Sequence, residues 1–292
     1  MSLRRAAAAI LLATAGLLAH ADEPTPAIHG VTWLSGETAR EAPEGKTAEA
    51  PLSVRLTAFL QAHWRDVDHR VVHANARRAW QMLGNGEPAC QLFSVHTPER
   101  DRLAYFADVM IAPPPAVLVR RDKLAALPRN AAGEVELDRL FADRGLRGAL
   151  VDGRSYGAFI DARLHDAPAD ANLTRYAASD FGSHVPVMLA MNRADYSIGY
   201  DLAAELDGVG KAPDVVGVPV AGATLLVRAG IACPRTPWGL AVIRRVDALF
   251  ATPEGLALLH QEMDHWMAPA AQQRYAAELA AFYRERAKPA PR

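Results

Sequence analysis

Hydrophobic positions along the chain switch repeatedly between a two-residue period and a helical one. Ile28-His29-Gly30-Val31-Thr32-Trp33-Leu34, bounded by Gly36, has the make-up of a short strand. Leu52, Leu56, Phe59, Leu60 and Trp64 then recur at helical spacing. Arg70-Val71-Val72 predicts a second strand, and Asn75 is placed to cap a helix over Ala76 to Leu83, ended by Gly84-Asn85-Gly86. Cys90-Gln91-Leu92-Phe93 predicts a third strand. Thr97 followed by Pro98 marks a helix start, with a side-chain cap and a proline at the first position. Between the first strand and first helix, Glu37 to Pro51 carries no period and is expected to be an exposed loop.

Pro113-Pro114-Pro115 leads into a strand over Ala116 to Arg120. The alternation then continues: a strand at Ala149-Leu150-Val151, a turn at Gly153, a helix from Ser155 to Leu164 and a strand from Leu173 to Ala177. A helix from Gly182 to Met191 and a strand from Asp195 to Tyr200 follow. Val215 to Val220 and Ala223 to Val227 read as two more strands. The last third is helical, over Trp238 to Phe250, Pro253 to Met267 with Thr252 as cap, and Ala271 to Arg286. Strands alternating with helices predict an α/β fold with mainly parallel sheets.

Composition narrows the function classes. Of 292 residues, 50% are hydrophobic and 22% charged, and 32 Lys+Arg against 33 Asp+Glu leave a formal net charge of -1. Such a chain is not a disordered polymer. It lacks the basic excess that holds a phosphate backbone, so nucleic acid is not expected as a partner. Arg4 and Arg5 precede an apolar run from Ala6 to Ala19, too short for the roughly 20 residues of a membrane span. Ala19-His20-Ala21 before Asp22-Glu23-Pro24 completes the pattern of a secretory signal peptide cleaved after Ala21. The expected product is exported and soluble. Cys90 and Cys233 remain in it, and composition alone leaves open whether they pair or stay two separate buried thiols.

The common catalytic signatures are missing. There is no Gly-x-Ser-x-Gly elbow, phosphate loop or dinucleotide glycine fingerprint, so no catalytic residue and no cofactor is assigned. His69 and His73 flank a strand, and His260 and His265 lie five apart on a helix, pointing to different faces, so no metal site is predicted. Three segments carry more chemistry. Ser94-Val95-His96-Thr97-Pro98-Glu99-Arg100 sits at a strand-to-helix turn, where free N–H groups attract anions and a guanidinium can grip a carboxylate with two bonds. Asp152-Gly153-Arg154-Ser155-Tyr156-Gly157 is a glycine turn with a hydroxyl facing a helix end. Asn192 to Asp201 is a strand whose alternate residues could reach a cleft. Read singly, these are a capped helix with a surface Arg, an ordinary loop and a surface strand.

Their order and spacing resemble a known family. Thr97-Pro98-Glu99-Arg100 with Leu103-Ala104-Tyr105-Phe106-Ala107 and Pro113 is similar to a stretch of periplasmic solute-binding proteins of the polar amino-acid class, family 3. Gly153-Arg154-Ser155, Asn192-Arg193-Ala194-Asp195 and His265-Trp266 resemble its second-lobe turn, its Gly-Arg-x-Asp strand and its C-terminal Lys-Trp. The resemblance implies a two-lobed, type 2 periplasmic binding-protein-like α/β fold with two hinge-crossing strands. Residues 22–115 and 228–292 would form lobe 1, and 116–227 lobe 2. It further implies a periplasmic monomer that captures a small, carboxylate-bearing ligand for a membrane transporter or a sensor. Arg100, beside Thr97, would pair with the anionic group. The Ser155 hydroxyl and the N–H groups at Ser155 and Tyr156 would complete the anion site, with Trp33 and Tyr200 as aromatic walls. It also brings Cys90 and Cys233 into one lobe, implying a disulfide.

The chain departs from the family where Phe93 and Val95 replace Gly and Thr/Ser. It departs again where Tyr200 precedes Asp201 at the ammonium-binding position, and where the aromatic segment after the first strand is missing. These departures imply a divergent member. Two other classes stay in play. One is an enzyme on the same scaffold, dehydratase-like or cell-wall-cleaving, with Asp152 or Asp201 as its carboxylate. The other is a ligand-free interaction domain with Phe93 filling the cleft.

Overall fold

A computed structural model of the chain describes residues 26–36, 52–176, 185–200, 215–267 and 269–288. The expected signal peptide, the expected loop over 37–51 and Asp201 lie outside the described residues.

The chain begins β1 (Gly30–Ser35), α1 (Leu52–His63), β2 (Asp68–His73), α2 (Ala76–Gly84), β3 (Ala89–Val95), α3 (Pro98–Asp101) and β4 (Ala104–Ala112). After Pro113–Pro115 come β5 (Ala116–Arg120), a 3₁₀ helix (Arg121–Ala126), α4 (Leu137–Ala142), β6 (Gly148–Val151), α5 (Ala158–His165) and β7 (Leu173–Tyr176). Then follow α6 (Val185–Ala190), β8 (Tyr196–Gly199), β9 (Val215–Val218) and β10 (Val227–Pro234). The C-terminal helices are α7 (Pro237–Phe250), α8 (Pro253–Trp266), α9 (Pro269–Arg274) and α10 (Ala276–Arg286).

These strands form two five-stranded sheets, in the orders β2-β1-β3-β10-β4 and β7-β6-β8-β5-β9. In each, one strand runs against its neighbours: β10 against β3 and β4, and β5 against β8 and β9. The remaining pairs are parallel, as βαβ connections require. The two-lobed α/β architecture thus follows from two sheets, each with its own core.

Local chemistry sets the helix starts. Asn75 Oδ1 accepts from the backbone N of Arg78 at 2.9 Å, and Thr236 and Thr252 cap α7 and α8 by accepting from Gly239 N and Gly255 N, both at 3.1 Å. Each such cap is worth about 1 kcal/mol. α3 is different: Thr97 caps it and Pro98 opens it, yet it lasts four residues. The chain then enters the largely buried run Ala104–Ala112, and burial of β4 in the sheet overrides the helix signal.

The first core lies under β3, β4 and β10 and is closed by α1, α7 and α8, through Leu56, Leu60, Leu92, Ile231, Val246 and Phe250. Cys90 on β3 and Cys233 on β10 are joined in a disulfide within it, both fully buried. The second core packs Val119, Leu140, Phe141, Leu150, Ile160 and Ile198 between the other sheet and its helices. Arg55 of α1 grips the buried Glu262 of α8 with two bonds, at 2.5 and 2.6 Å.

Two expectations are corrected here. The strand expected over Ala223 to Val227 lies one element later: β10 is Val227–Pro234, so Cys233 sits on the strand and not after it. Its residues are small because the backbone passes tightly between two neighbours. A Cβ on Gly230 would lie 2.1 Å from the carbonyl oxygen of Ala107. The single helix expected from Ala271 to Arg286 is two, α9 and α10, broken at Tyr275.

Candidate functional site

The site is built where α3 of the first sheet meets the β6–α5 turn of the second. Thr97 Oγ1 accepts from Arg100 N at 3.3 Å, which fixes the single turn of α3 and sends the Arg100 side chain back toward the end of β3. There Nη1 donates to Ser94 Oγ at 3.1 Å and to the carbonyl of Val95 at 2.9 Å. Nη2 reaches across to the carbonyl of Gly153 at 3.3 Å. The guanidinium carbon lies 4.5 Å from the centroid of the Trp80 ring on α2, a cation–π contact. Burial pushes the Arg100 pKa down to about 10, and nearby Asp161 and Tyr200 oppose that shift. Among the described residues, no carboxylate stands within ion-pair distance of Arg100.

Gly153 is where the two sheets' loops touch. Its φ of +73° suits glycine, and a Cβ there would lie 3.1 Å from the backbone N of Arg77 at the start of α2. Beside it, Asp152 Oδ2 is 3.5 Å from Arg77 Nη1. Arg154 lies 5.8 Å from the ring centroids of both Tyr156 and Tyr200. Tyr200 packs with Val95, Ala112 and Val227, a small buried cluster at the strand ends that lead from one sheet to the other.

The groups expected to hold an anion in the second lobe already hold one, and it belongs to the chain. Ser155 Oγ donates to Asp161 Oδ2 in a short hydrogen bond, and Tyr156 N donates to Asp161 Oδ1 at 2.8 Å. Gly157 N donates to Ser155 Oγ at 3.2 Å. Asp161 stands in the first turn of α5, where the helix dipole favours a carboxylate, and reaches back to donors that lie just ahead of the helix. Burial raises the Asp161 pKa against these bonds and against the attraction of Arg100. Arg100 and Asp161 therefore attract one another across the seam without touching.

Three expected site residues have other work. Trp33 is fully buried in the first core, where its Nε1 donates to His69 Nδ1 at 2.9 Å. His69 Nε2 then donates to the carbonyl of Trp64 at 2.8 Å, so Trp33 is not a cleft wall and His69 is a satisfied core histidine. The Tyr156 ring lies in the second core, with its hydroxyl accepting from Val151 N at 3.1 Å, and its backbone N–H is taken by Asp161. Thr97 is 4% exposed and engaged as a cap. Phe93 is partly buried and packs against the first core. Arg100, Ser155 and Tyr200 do converge there. Gly153, expected as a turn, adds its carbonyl to the seam, and Trp80 and Asp161 also belong there and were not expected. Of these, Asp161 had a signal: an acidic residue in the first turn of a helix preceded by Ser.

Solved structures share this fold. One is a mutant of ArgBP from T. maritima, 16% identical, with a TM-score of 0.58 over 81% of this chain and 94% of that one. Another is AbpA, an amino acid ABC transporter substrate-binding protein from Streptococcus pneumoniae bound to L-arginine, 13% identical, TM-score 0.57, covering 80% and 93%. A third is the substrate-binding protein of an amino acid ABC transporter, 14% identical, TM-score 0.60, covering 82% and 98%. No protein-family model and no curated protein matches the chain. The fold is that of the two-lobed substrate-binding proteins of amino acid ABC transporters. Among the described residues no helix is long and apolar enough to cross a membrane.

Proposed function

We propose that the chain is an exported, monomeric solute-binding protein that captures a small anionic solute, carboxylate-bearing in the simplest case, and presents it to a membrane transporter. In this reading 22–115 with 228–292 form one lobe and 116–227 the other, and the solute enters at the Arg100 seam. One observation carries it. Arg100 is a half-buried cation whose direct partners among the described residues are neutral acceptors and a ring face, with Asp161 attracting it only from a distance, an arrangement suited to an incoming anion.

Because Asp161 engages Ser155 and Tyr156, the solute's anionic group meets Arg100 from the first lobe and the second lobe contributes little charge to it. Opening the seam breaks the Arg100–Gly153 hydrogen bond and the Arg77–Asp152 pair. An exposed pair of that kind is worth about 0–1 kcal/mol, so solute access costs little.

The test uses protein unfolded and refolded to strip bound solute, then screened by thermal shift against amino acids, organic acids and short peptides. A binding solute at 100 times its Kd adds roughly 2.7 kcal/mol of stability, a clear rise in Tm. The rise should vanish in Arg100→Met. A screen in which no compound shifts Tm, or in which Arg100→Met binds as wild type does, overturns the proposal.

A further inference from the structure

His96 lies between the third strand and the helix that carries Arg100, with carboxylates at both ring nitrogens. Nδ1 is 2.9 Å from Asp108 Oδ1 on β4, and Nε2 is 2.7 Å from Asp101 Oδ1 on α3. A neutral imidazole has one N–H, and its other nitrogen would present a lone pair to an ionised carboxylate. Two such partners are satisfied together by the imidazolium. Phe106 of β4 stacks beneath the ring, with centroids 4.2 Å apart and planes within 6°, which also suits a cation.

The surroundings tie this charge to the seam. The backbone N of His96 donates to the carbonyl of Arg228 on β10 at 2.9 Å. Arg228 Nη1 donates to Asp108 Oδ2 at 3.1 Å, and its guanidinium also grips Glu285 of α10. On the α3 side, Arg235 holds the backbone carbonyl of Asp101. These groups, Asp101, Asp108, Arg228, Glu285 and Arg235, are the charges around the ring on α3, β4, β10, α10 and the end of β10. A four-residue helix cannot stand without such anchors. Asp101 is the residue next to Arg100.

We propose that His96 is a positioning residue, a charged brace that ties α3 to β4 and β10 and thereby holds Arg100 over Trp80, and that loss of its proton loosens Arg100. Its consequence for solute capture rests on the solute-binding reading above; the brace itself does not. The hydrogen bond to Asp108, more than any other contact, raises the His96 pKa above its ordinary value. With the folded pKa raised, the brace is fully present below the ordinary histidine range and is lost as pH rises through the folded value. Capture is then tightest in mildly acidic medium.

The experiment is a pH titration of the ¹⁵N-labelled, solute-stripped protein by NMR. The His96 ring nitrogens should both be protonated in mild acid and titrate with a midpoint above about 6.5. The Trp80 indole N–H resonance, which reports the guanidinium above its ring, should shift with the same midpoint. In His96→Gln it should hold its high-pH position throughout, and in His96→Arg its low-pH position. Two results overturn the brace: a His96 already neutral at pH 6, or a Trp80 resonance that stays flat while His96 titrates. Both are read on wild-type protein, so they stand if a variant misfolds. A solute screen that finds nothing would end the binding reading and leave these resonances as they are.

Discussion

Two arginines with opposite roles, Arg286 buried and Arg100 half-buried, give the sharpest test of the site. Arg286 on α10 is 9% exposed and donates to Asp247 of α7 at 2.6 Å, and Asp247 is itself buried. Replacing Arg286 by Met strands a carboxylate in the core. Breaking a buried pair from one side costs about 3–5 kcal/mol. Arg100 has no such partner among the described residues. A pKa of about 10 against an ordinary 12.5 corresponds to roughly 3 kcal/mol of disfavoured charge. Arg100→Met removes that penalty. It also removes bonds to Ser94, Val95 and Gly153, each worth roughly 1 kcal/mol, and a cation–π contact of about 1 kcal/mol. These contributions nearly cancel. In urea unfolding at pH 7 without solute, Arg100→Met should stay within about 1 kcal/mol of wild type at an unchanged m-value, while Arg286→Met loses about 3–5. If Arg100→Met is as damaging as Arg286→Met, Arg100 is a structural residue and the site reasoning fails.

Three more outcomes are expected. Cys90→Ala with Cys233→Ala should lower stability by up to about 5 kcal/mol, the chain-entropy limit for a separation of 143 residues, read by denaturant unfolding; a loss under 1 kcal/mol would mean the bond adds nothing. Gly153→Ala should strain the left-handed turn and cost about 1–2 kcal/mol in denaturant unfolding, and an unchanged stability refutes the strain. Arg147 bonds Asp195 through both carboxylate oxygens and holds its pKa below the usual range. That contribution is full above about pH 4 and lost as pH falls through the lower folded value, so Arg147→Gln should differ from wild type at pH 7 and converge with it in strong acid.

Much of the fold was legible because its signals are local. Asn75, Thr97 and Thr252 cap by short-range chemistry, and the apolar period of α1 needs no partner to be read. β10 was misplaced because Ala229, Gly230 and Ala232 have weak strand preference; they are small to fit between β3 and β4, a demand that only the assembled sheet makes. The site was half legible. The cap at Thr97 and the turn at Gly153 led to Arg100 and Ser155, and the resemblance supplied their ligand role. Trp80 could not be linked to Arg100 from spacing, since the sheet brings α2 and α3 side by side across twenty residues of sequence. Trp33 misled because an aromatic on a first strand suits a core as well as a cleft wall, and its burial is settled by α1 packing above it.

The position of β10 governs the order of assembly. It lies between β3 and β4, yet the chain builds the entire second sheet before reaching it. A polypeptide threading out amino end first therefore holds β3 and β4 with unpaired edges until residue 227 emerges, and the covalent link at Cys233 forms later still. Such long-range closure makes folding slow and leaves a sticky interval. Truncations that stop short of Pro234 should yield no soluble first sheet, while the second sheet, continuous in sequence from β5 to β9, has every strand it needs before the first is complete.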